Sequence, residues 1–318
     1  MNKSFINKYK PKTLDDFIYH KDIINVIKKL IKINELNILI VGESGCGKTT
    51  LINCILKDYY DSKYSNNILS INPLKEQGIS YYRTDVKTFC QSISENNKKK
   101  TIVLDDIDGI SEQSQQIFRN CLDKYNKNVN FIASCKNIQK ILRTFQSRIL
   151  IIKMNQFTES NLIDILEKIV DLENIKITED VKKFIVKISN LSIKILINYL
   201  EKFKIFNKNI TLYDSFNLCT NISYNNLISY TNYCIENDLN NAIKIIINLS
   251  NDGYSVMDIL DTYFIFIKLT DIIKEEVKYD IFKLLCKYIS NFYIIHEDEI
   301  ELIFLTNNLI KILKNIKT

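Results

Sequence analysis

No apolar run in these 318 residues approaches the length of a membrane span, and the opening MNKSFINKYKPK has none of the character of a secretion signal. Both absences point to an intracellular chain. Eight cysteines are present, but no two form a C-x-x-C pair and none has the Cys/His spacing of a zinc site. They are therefore expected to be reduced and mostly buried thiols. No solenoid period is evident. Arginine is limited to Arg83, Arg119, Arg143 and Arg148, in a chain swollen with lysine, asparagine and isoleucine. Where coding bias favours lysine, a surviving arginine marks a task that a point charge does poorly, such as a planar grip on phosphate.

Glycine is scarce as well, at six residues, yet three of them fall in one stretch. Gly42, Gly45 and Gly47 precede Lys48 and Thr49, and GESGCGKT fits G-x-x-x-x-G-K-[ST]. The apolar run Asn37–Val41 before it reads as a buried strand, and Thr50–Leu56 after it as a helix. That setting makes Gly42, Glu43, Ser44, Gly45, Cys46, Gly47, Lys48, Thr49 and Thr50 a candidate loop for the phosphates of a nucleoside triphosphate. Glycine lets the backbone turn its N–H groups inward, and the following helix adds a favourable field. Lys48 suits the outer phosphates and Thr49 a magnesium ion. Cys46 reads as a passive filler of a variable position.

Charge is uneven. Residues 1 to 155 carry 25 Lys+Arg against 15 Asp+Glu, whereas 156 to 318 carry 18 against 22. A basic first half suggests a polyanionic partner beyond the nucleotide. The triplet Lys98-Lys99-Lys100 reads as a solvated loop.

The first half alternates helix and strand signals: an amphipathic helix with Ile23, Val26, Ile27, Leu30 and Ile31 on one face, strands near 37–41, 68–71, 101–104, 129–134 and 149–152, and helices from about Thr84 and over 112–124. Such alternation means a parallel sheet with helices on both faces and ligands at the strands' carboxyl ends. After Ile152 the character changes. Residues 156–318 hold no proline and one glycine, Gly253, and apolar positions recur at helical spacing. Leu162, Ile165, Leu166 and Ile169 make one stripe; Ile259, Tyr263, Ile265 and Ile267 belong to a nearly all-apolar central helix. The expected domains are 1–154, a small helical domain over 155–218, and a helical bundle over 219–318.

Thr101-Ile102-Val103-Leu104-Asp105-Asp106 is a buried strand ending in two acids about fifty residues after the loop. Asp105 fits a magnesium ligand and Asp106 a general base for the attacking water.

Here the chain resembles a family. Lys8-Tyr9-Lys10-Pro11-Lys12-Thr13-Leu14-Asp15-Asp16-Phe17 is similar to the K-Y-R-P-K-T-L-D-D opening of replication factor C small subunits. Ser70-Ile71-Asn72-Pro73 with Gly78-Ile79 resembles their L-N-A-S…R-G-I segment, and Asp105-Asp106-Ile107-Asp108 their D-E-A-D box. Gln115-Gln116 with Arg119 matches the next helix, and Gln146-Ser147-Arg148 the S-R-C motif without its cysteine. The resemblance spans residues 5 to about 150 and implies an AAA+ clamp loader subunit: an ATP-binding domain, a lid and an oligomerisation collar. It implies ATP and magnesium as cofactors. The implied partners are other loader subunits in a hetero-oligomeric, pentameric ring, a sliding clamp, and primer-template DNA held without sequence reading, in the nucleus or at a cytoplasmic replication site.

By the same resemblance, Tyr9, Pro11 and Ile18 lie against adenine, and Lys48, Thr49 and Asp105 hold phosphates and magnesium. Arg148 is the arginine finger reaching the triphosphate of a neighbour, while Arg83 and Arg119 contact the DNA backbone. Three positions depart from the family. Asp106 stands where D-E has glutamate, Lys136 where the polar sensor is usually asparagine, with Asn137 one residue away, and Lys194 where the lid carries its sensor arginine. These departures imply ATP binding with hydrolysis that is slow or dependent on assembly and DNA. Two other readings stay open: a non-catalytic subunit that binds ATP structurally and donates Arg148, and another DNA-directed AAA+ ATPase.

Overall fold

The computed structural model of the protein describes residues 4–17, 21–60, 65–71, 79–92, 98–206, 208–292 and 297–314. Its chain forms two compact units, one of residues 1–166 and 189–198, the other of residues 167–188 and 199–318.

The first unit opens with α1 (Phe5–Tyr9) and α2 (Lys21–Ile33), then alternates β1 (Ile38–Val41), α3 (Lys48–Tyr60), β2 (Ile68–Ile71), α4 (Ile79–Gln91), β3 (Lys100–Leu104), α5 (Glu112–Tyr125), β4 (Val129–Cys135), α6 (Arg143–Gln146) and β5 (Leu150–Lys153). The strands make one five-stranded sheet in the order β2-β3-β4-β1-β5. Every pairing is parallel, with Ile38 opposite Ile132 and Leu150, and Leu104 opposite Ala133. Because side chains alternate across a strand and both faces are covered, the strands read as unbroken apolar runs. Leu39, Ile102, Leu104 and Phe131 face one core with Tyr82 and Val86 of α4 and Phe118 of α5. Ile38, Ile40, Val103 and Ile132 face the other, with Ile24 and Ile27 of α2 and Leu51, Ile52 and Ile55 of α3. All five strands point their carboxyl ends the same way, which is what brings the loops after β1, β3 and β4 together.

Four sequence expectations are corrected. On α2 the buried residues are Ile24 and Ile27, while Val26 is 44% exposed. Ile23, Leu30 and Ile31 are partly buried against the same core as expected, so the correction is confined to Val26, with Ile24 buried in addition. Helix α4 starts at Ile79 rather than near Thr84. Its tyrosine pair favours strands, but Tyr82 packs edge-on against Phe118 with ring centroids 5.2 Å apart, and tertiary contact overrides propensity. The lysine triplet is structural. Lys98 Nζ donates to Tyr59 O (2.6 Å) and Lys99 Nζ to Asn126 O (3.1 Å). Buried Lys100 Nζ donates to Ser92 Oγ (2.6 Å) above the Phe89 ring, so each stem lies on the protein while its head finds oxygen.

The fourth correction lies in the helical remainder: α7 (Glu159–Glu173), α8 (Glu179–Ile188), α9 (Ile193–Phe206), α10 (Leu212–Cys219), α11 (Tyr224–Glu236), α12 (Leu239–Asn251), α13 (Val256–Leu269), α14 (Glu275–Phe292) and α15 (Glu299–Lys314). On α13, Ile259, Tyr263 and Ile267 are buried as expected of a central helix, but Ile265 is 41% exposed, so one narrow strip of α13 meets solvent. The core of the second unit gathers residues of α11 to α15. Tyr230 and Tyr263 are buried in it, and their hydroxyls are bonded to Thr306 (3.0 Å) and Thr231 (3.4 Å). With so little glycine and proline, side chains start the helices. Thr211 with Asp214 and Ser255 with Asp258 form capping boxes that satisfy N–H groups which α10 and α13 cannot bond internally. Among the described residues no helix is long and apolar enough to cross a membrane. All eight cysteines are free, and seven are buried.

Candidate nucleotide site

The phosphate loop lies at the carboxyl end of β1, between β4 and β5 in the sheet, and runs directly into α3. The helix begins at Lys48, so Lys48 and Thr49 occupy its first turn rather than the loop before it. Gly45 and Gly47 have φ of +85° and +96°, which L side chains rarely adopt. Space is as tight as the dihedrals. A Cβ on Gly42 would come within 2.8 Å of Cys46 Sγ and 3.0 Å of Met154 O, and one on Gly45 within 2.7 Å of Ser192 Oγ. Glu43, Ser44 and Thr49 are exposed at this rim, and Thr50 is half-buried.

Lys48 is 7% exposed and donates through Nζ to Gly42 O at 2.9 Å and Glu43 O at 3.0 Å. Its ammonium thus already sits over the loop. Cys46 is buried, and burial pushes its thiol above the usual range, against the opposing pull of the Lys48 charge. It packs in the core with Leu51 and Ile52 of α3.

At the end of β3, the Asp105 carboxylate meets the loop's helix. Thr49 Oγ1 donates to Asp105 Oδ2 at 3.1 Å, and Ser134 Oγ, from β4, donates to Asp105 Oδ1 at 2.5 Å. The same hydroxyl accepts from Asp106 N at 3.0 Å. Asp106 takes a left-handed backbone (φ 52°, ψ 51°), a conformation tolerated by aspartate and found often at working sites. Ser134 is the residue that sequence reasoning missed. One hydroxyl group near the carboxyl end of a mostly apolar strand, after Phe131-Ile132-Ala133, was the available signal. Replacing it with alanine removes the partner of the part-buried Asp106 N–H and the shorter of the two hydrogen bonds to Asp105 Oδ1. Ser134→Ala is therefore expected to cost about 1–3 kcal/mol of stability, measured by denaturant unfolding.

Lys136 and Asn137 follow β4. Lys136 Nζ lies 3.9 Å from Asp106 Oδ2, so the lysine reaches the acid named as general base. The backbone N–H groups of Lys136 and Asn137 both donate to Asp108 Oδ2 at 3.3 Å, which ties this loop to the one after β3. Asn137 Oδ1 accepts from Gln139 N at 2.9 Å and caps the turn that follows. Lys194, exposed in the first turn of α9, belongs to the same unit as the loop, as does Ser192, the neighbour of Gly45. Asn190 and Leu191 precede Ser192 with φ of 47° and 59°.

Of the remaining candidates, Tyr9 and Pro11 are half-buried near the start, and Ile18 lies outside the described residues, as do Asn72, Pro73 and Gly78. Phe17 just before Ile18 comes within 4.0 Å of a Cβ placed on Gly47, so this entry segment reaches the loop. Arg83 is exposed on α4 and Arg119 half-buried on α5. Arg148 stands apart from the loop in sequence; its Nε donates to Asp123 Oδ1 at 2.6 Å.

Residues 38–156 match the family model of the ATPases associated with various cellular activities (AAA), which makes this an AAA ATPase domain with a site for ATP. The chain belongs to the replication factor C small-subunit family. It is 30% identical to a replication factor C small subunit of Methanococcus vannielii over 66% of this chain and 67% of that protein. It is 27% identical to replication factor C subunit 5 of Mus musculus over 85% and 81%. Among solved structures it resembles the Thermotoga maritima RuvB Holliday junction branch migration motor, with a TM-score of 0.52 and 14% identity over 71% of this chain and 79% of that one. At that identity the likeness speaks for the fold alone.

Proposed function

We propose that the chain is the ATP-binding subunit of a sliding-clamp loader, which opens the clamp and places it on primer-template DNA during replication. Family membership supports the class, and one observation carries the site: Thr49, Asp105 and Ser134 converge within hydrogen-bond reach at the mouth of a glycine-lined loop. The oxygens of Thr49 and Asp105 form a donor set suited to a hard cation such as magnesium. Among the described residues no cluster of three acidic, Cys or His side chains could hold a metal unaided, which suits an ion that takes its other ligands from phosphates and water. Magnesium would neutralise charge on the phosphates. Lys48 and the loop N–H groups bind and orient them, and Asp106 draws a proton from the attacking water.

In the same reading Arg148 reaches the triphosphate of an adjoining subunit in a hetero-oligomeric ring, Arg83 and Arg119 contact the phosphate backbone of DNA, and Tyr9, Pro11 and Ile18 pack on adenine. Residues 155–218 serve as a lid and 219–318 as the collar. The contact of Lys136 with Asp106 supports slow hydrolysis in the isolated chain: a cation beside the base competes for the lone pairs that should hold water. Both groups are about half exposed, so the pair adds little stability. The test is to compare ATP turnover by the chain alone with turnover in the reconstituted assembly with clamp and primed DNA. Turnover should rise by at least about tenfold on assembly and DNA addition, with clamp transferred to DNA. Equal turnover in both, with no clamp transfer, would exclude the proposal.

A further inference from the structure

Asp123 belongs to none of the motifs that define the site. It lies on α5 four residues after Arg119, so both point to the same side of that helix. Arg148, between α6 and β5, comes to it from elsewhere in the chain. Its Nε donates to Asp123 Oδ1 at 2.6 Å, while Nη1 donates to Thr144 O at 2.7 Å and to Ser147 Oγ at 3.2 Å. A guanidinium carries five N–H donors. Those of Nε and Nη1 are engaged, in different directions, and both donors of Nη2 have no partner among the described residues. The side chain is 32% exposed, held at Nε and Nη1 and unbonded at Nη2. The second carboxylate oxygen is shared differently. Arg119 Nε lies 3.5 Å from Asp123 Oδ2, and that nitrogen is buried without a hydrogen-bond partner. One carboxylate thus stands between two arginines, bound tightly to the first and loosely to the second.

We infer that Asp123 is the positioning residue for Arg148, fixing the plane of its guanidinium so that Nη2 is the end offered to phosphate. The weak contact with Arg119 then makes that hold sensitive to a phosphate strand lying on α5. This rests on the proposed action of Arg148 on an adjoining subunit. Thr144 and Ser147 contact only Nη1 and leave the group free to pivot; the charge-assisted bond to Nε removes that freedom. When a nucleic acid phosphate engages Arg119, Asp123 is left to Arg148 alone.

The experiment uses the whole assembly with every pocket disabled except the one facing Arg148, and follows single-turnover ATP hydrolysis with and without primed DNA. Asp123→Ala is expected to lower the maximal rate about tenfold at unchanged half-saturating ATP, since a misplaced group costs rate rather than binding. Asp123→Asn keeps an oxygen acceptor for Nε. It should recover most of the basal rate yet lose stimulation by DNA, because a neutral amide no longer attracts Arg119. The double variant Asp123→Ala with Arg148→Ala should be no slower than Arg148→Ala by itself. If Arg148→Ala has no effect, the action on a neighbour is wrong, and this inference goes with it. If Arg148→Ala abolishes hydrolysis while Asp123→Ala matches the unaltered assembly, Asp123 alone is misassigned. Should Asp123→Ala fail to assemble, the Asn variant decides: retained stimulation by DNA overturns the coupling.

Discussion

Arg148→Ala is expected to lower ATP hydrolysis in the adjoining subunit's pocket by about 10³–10⁵-fold, the usual worth of an arginine finger. The chain's own affinity for ATP should not change, because Arg148 bonds Asp123, Thr144 and Ser147 and touches no residue of the phosphate loop. Arg148→Lys should lose nearly as much. A lysine cannot hold Asp123 through one nitrogen while offering another outward, and the fork is what the geometry uses. The measurement is single-turnover hydrolysis in the assembly, with equilibrium binding of a fluorescent ATP analogue to this chain as the control. Unchanged hydrolysis in the alanine variant would refute the in-trans role.

Lys48→Ala should weaken ATP binding by this chain by roughly 10- to 10⁴-fold, the loss of one or two charge-assisted hydrogen bonds at about 1.5–3 kcal/mol each. The ammonium is nearly inaccessible and already poised over the loop at Gly42 and Glu43, so little reorganisation is needed to meet phosphate. Lys48→Arg keeps the charge but carries a wide planar head where a compact one reaches two carbonyls, and it too should bind poorly. Calorimetric titration with ATP checks both. Comparison with Arg148→Ala separates two roles within the ring. If clamp loading survives the loss of Lys48 but not of Arg148, the chain serves as a scaffold that donates an arginine.

Much of this was legible from residue order. Five apolar runs spaced by helical segments give the parallel sheet, since strands covered on both faces must be apolar throughout. The glycines at 42, 45 and 47 announce the loop because their backbone conformations and close contacts admit little else. Less legible were contacts whose meaning depends on a partner far away in the chain. Lys98, Lys99 and Lys100 look like a solvated run, yet all three bond into the protein. Ser134 is a small polar residue within a mostly apolar strand, and only the pairing of β3 with β4 turns its hydroxyl towards Asp105.

By itself, the order of residues determined the class of fold, the phosphate loop and the acid that faces it. Those features rest on local rules: strand alternation, helix period and the backbone freedom of glycine. Tertiary structure alone decided that Arg148 would reach Asp123, and that Ser134 would hold Asp105 while capping Asp106. The reason is distance along the chain. Hydrogen bonds spanning some 25 to 29 residues exist only after the sheet has closed, and no periodicity foretells which side chains it will bring within 3 Å.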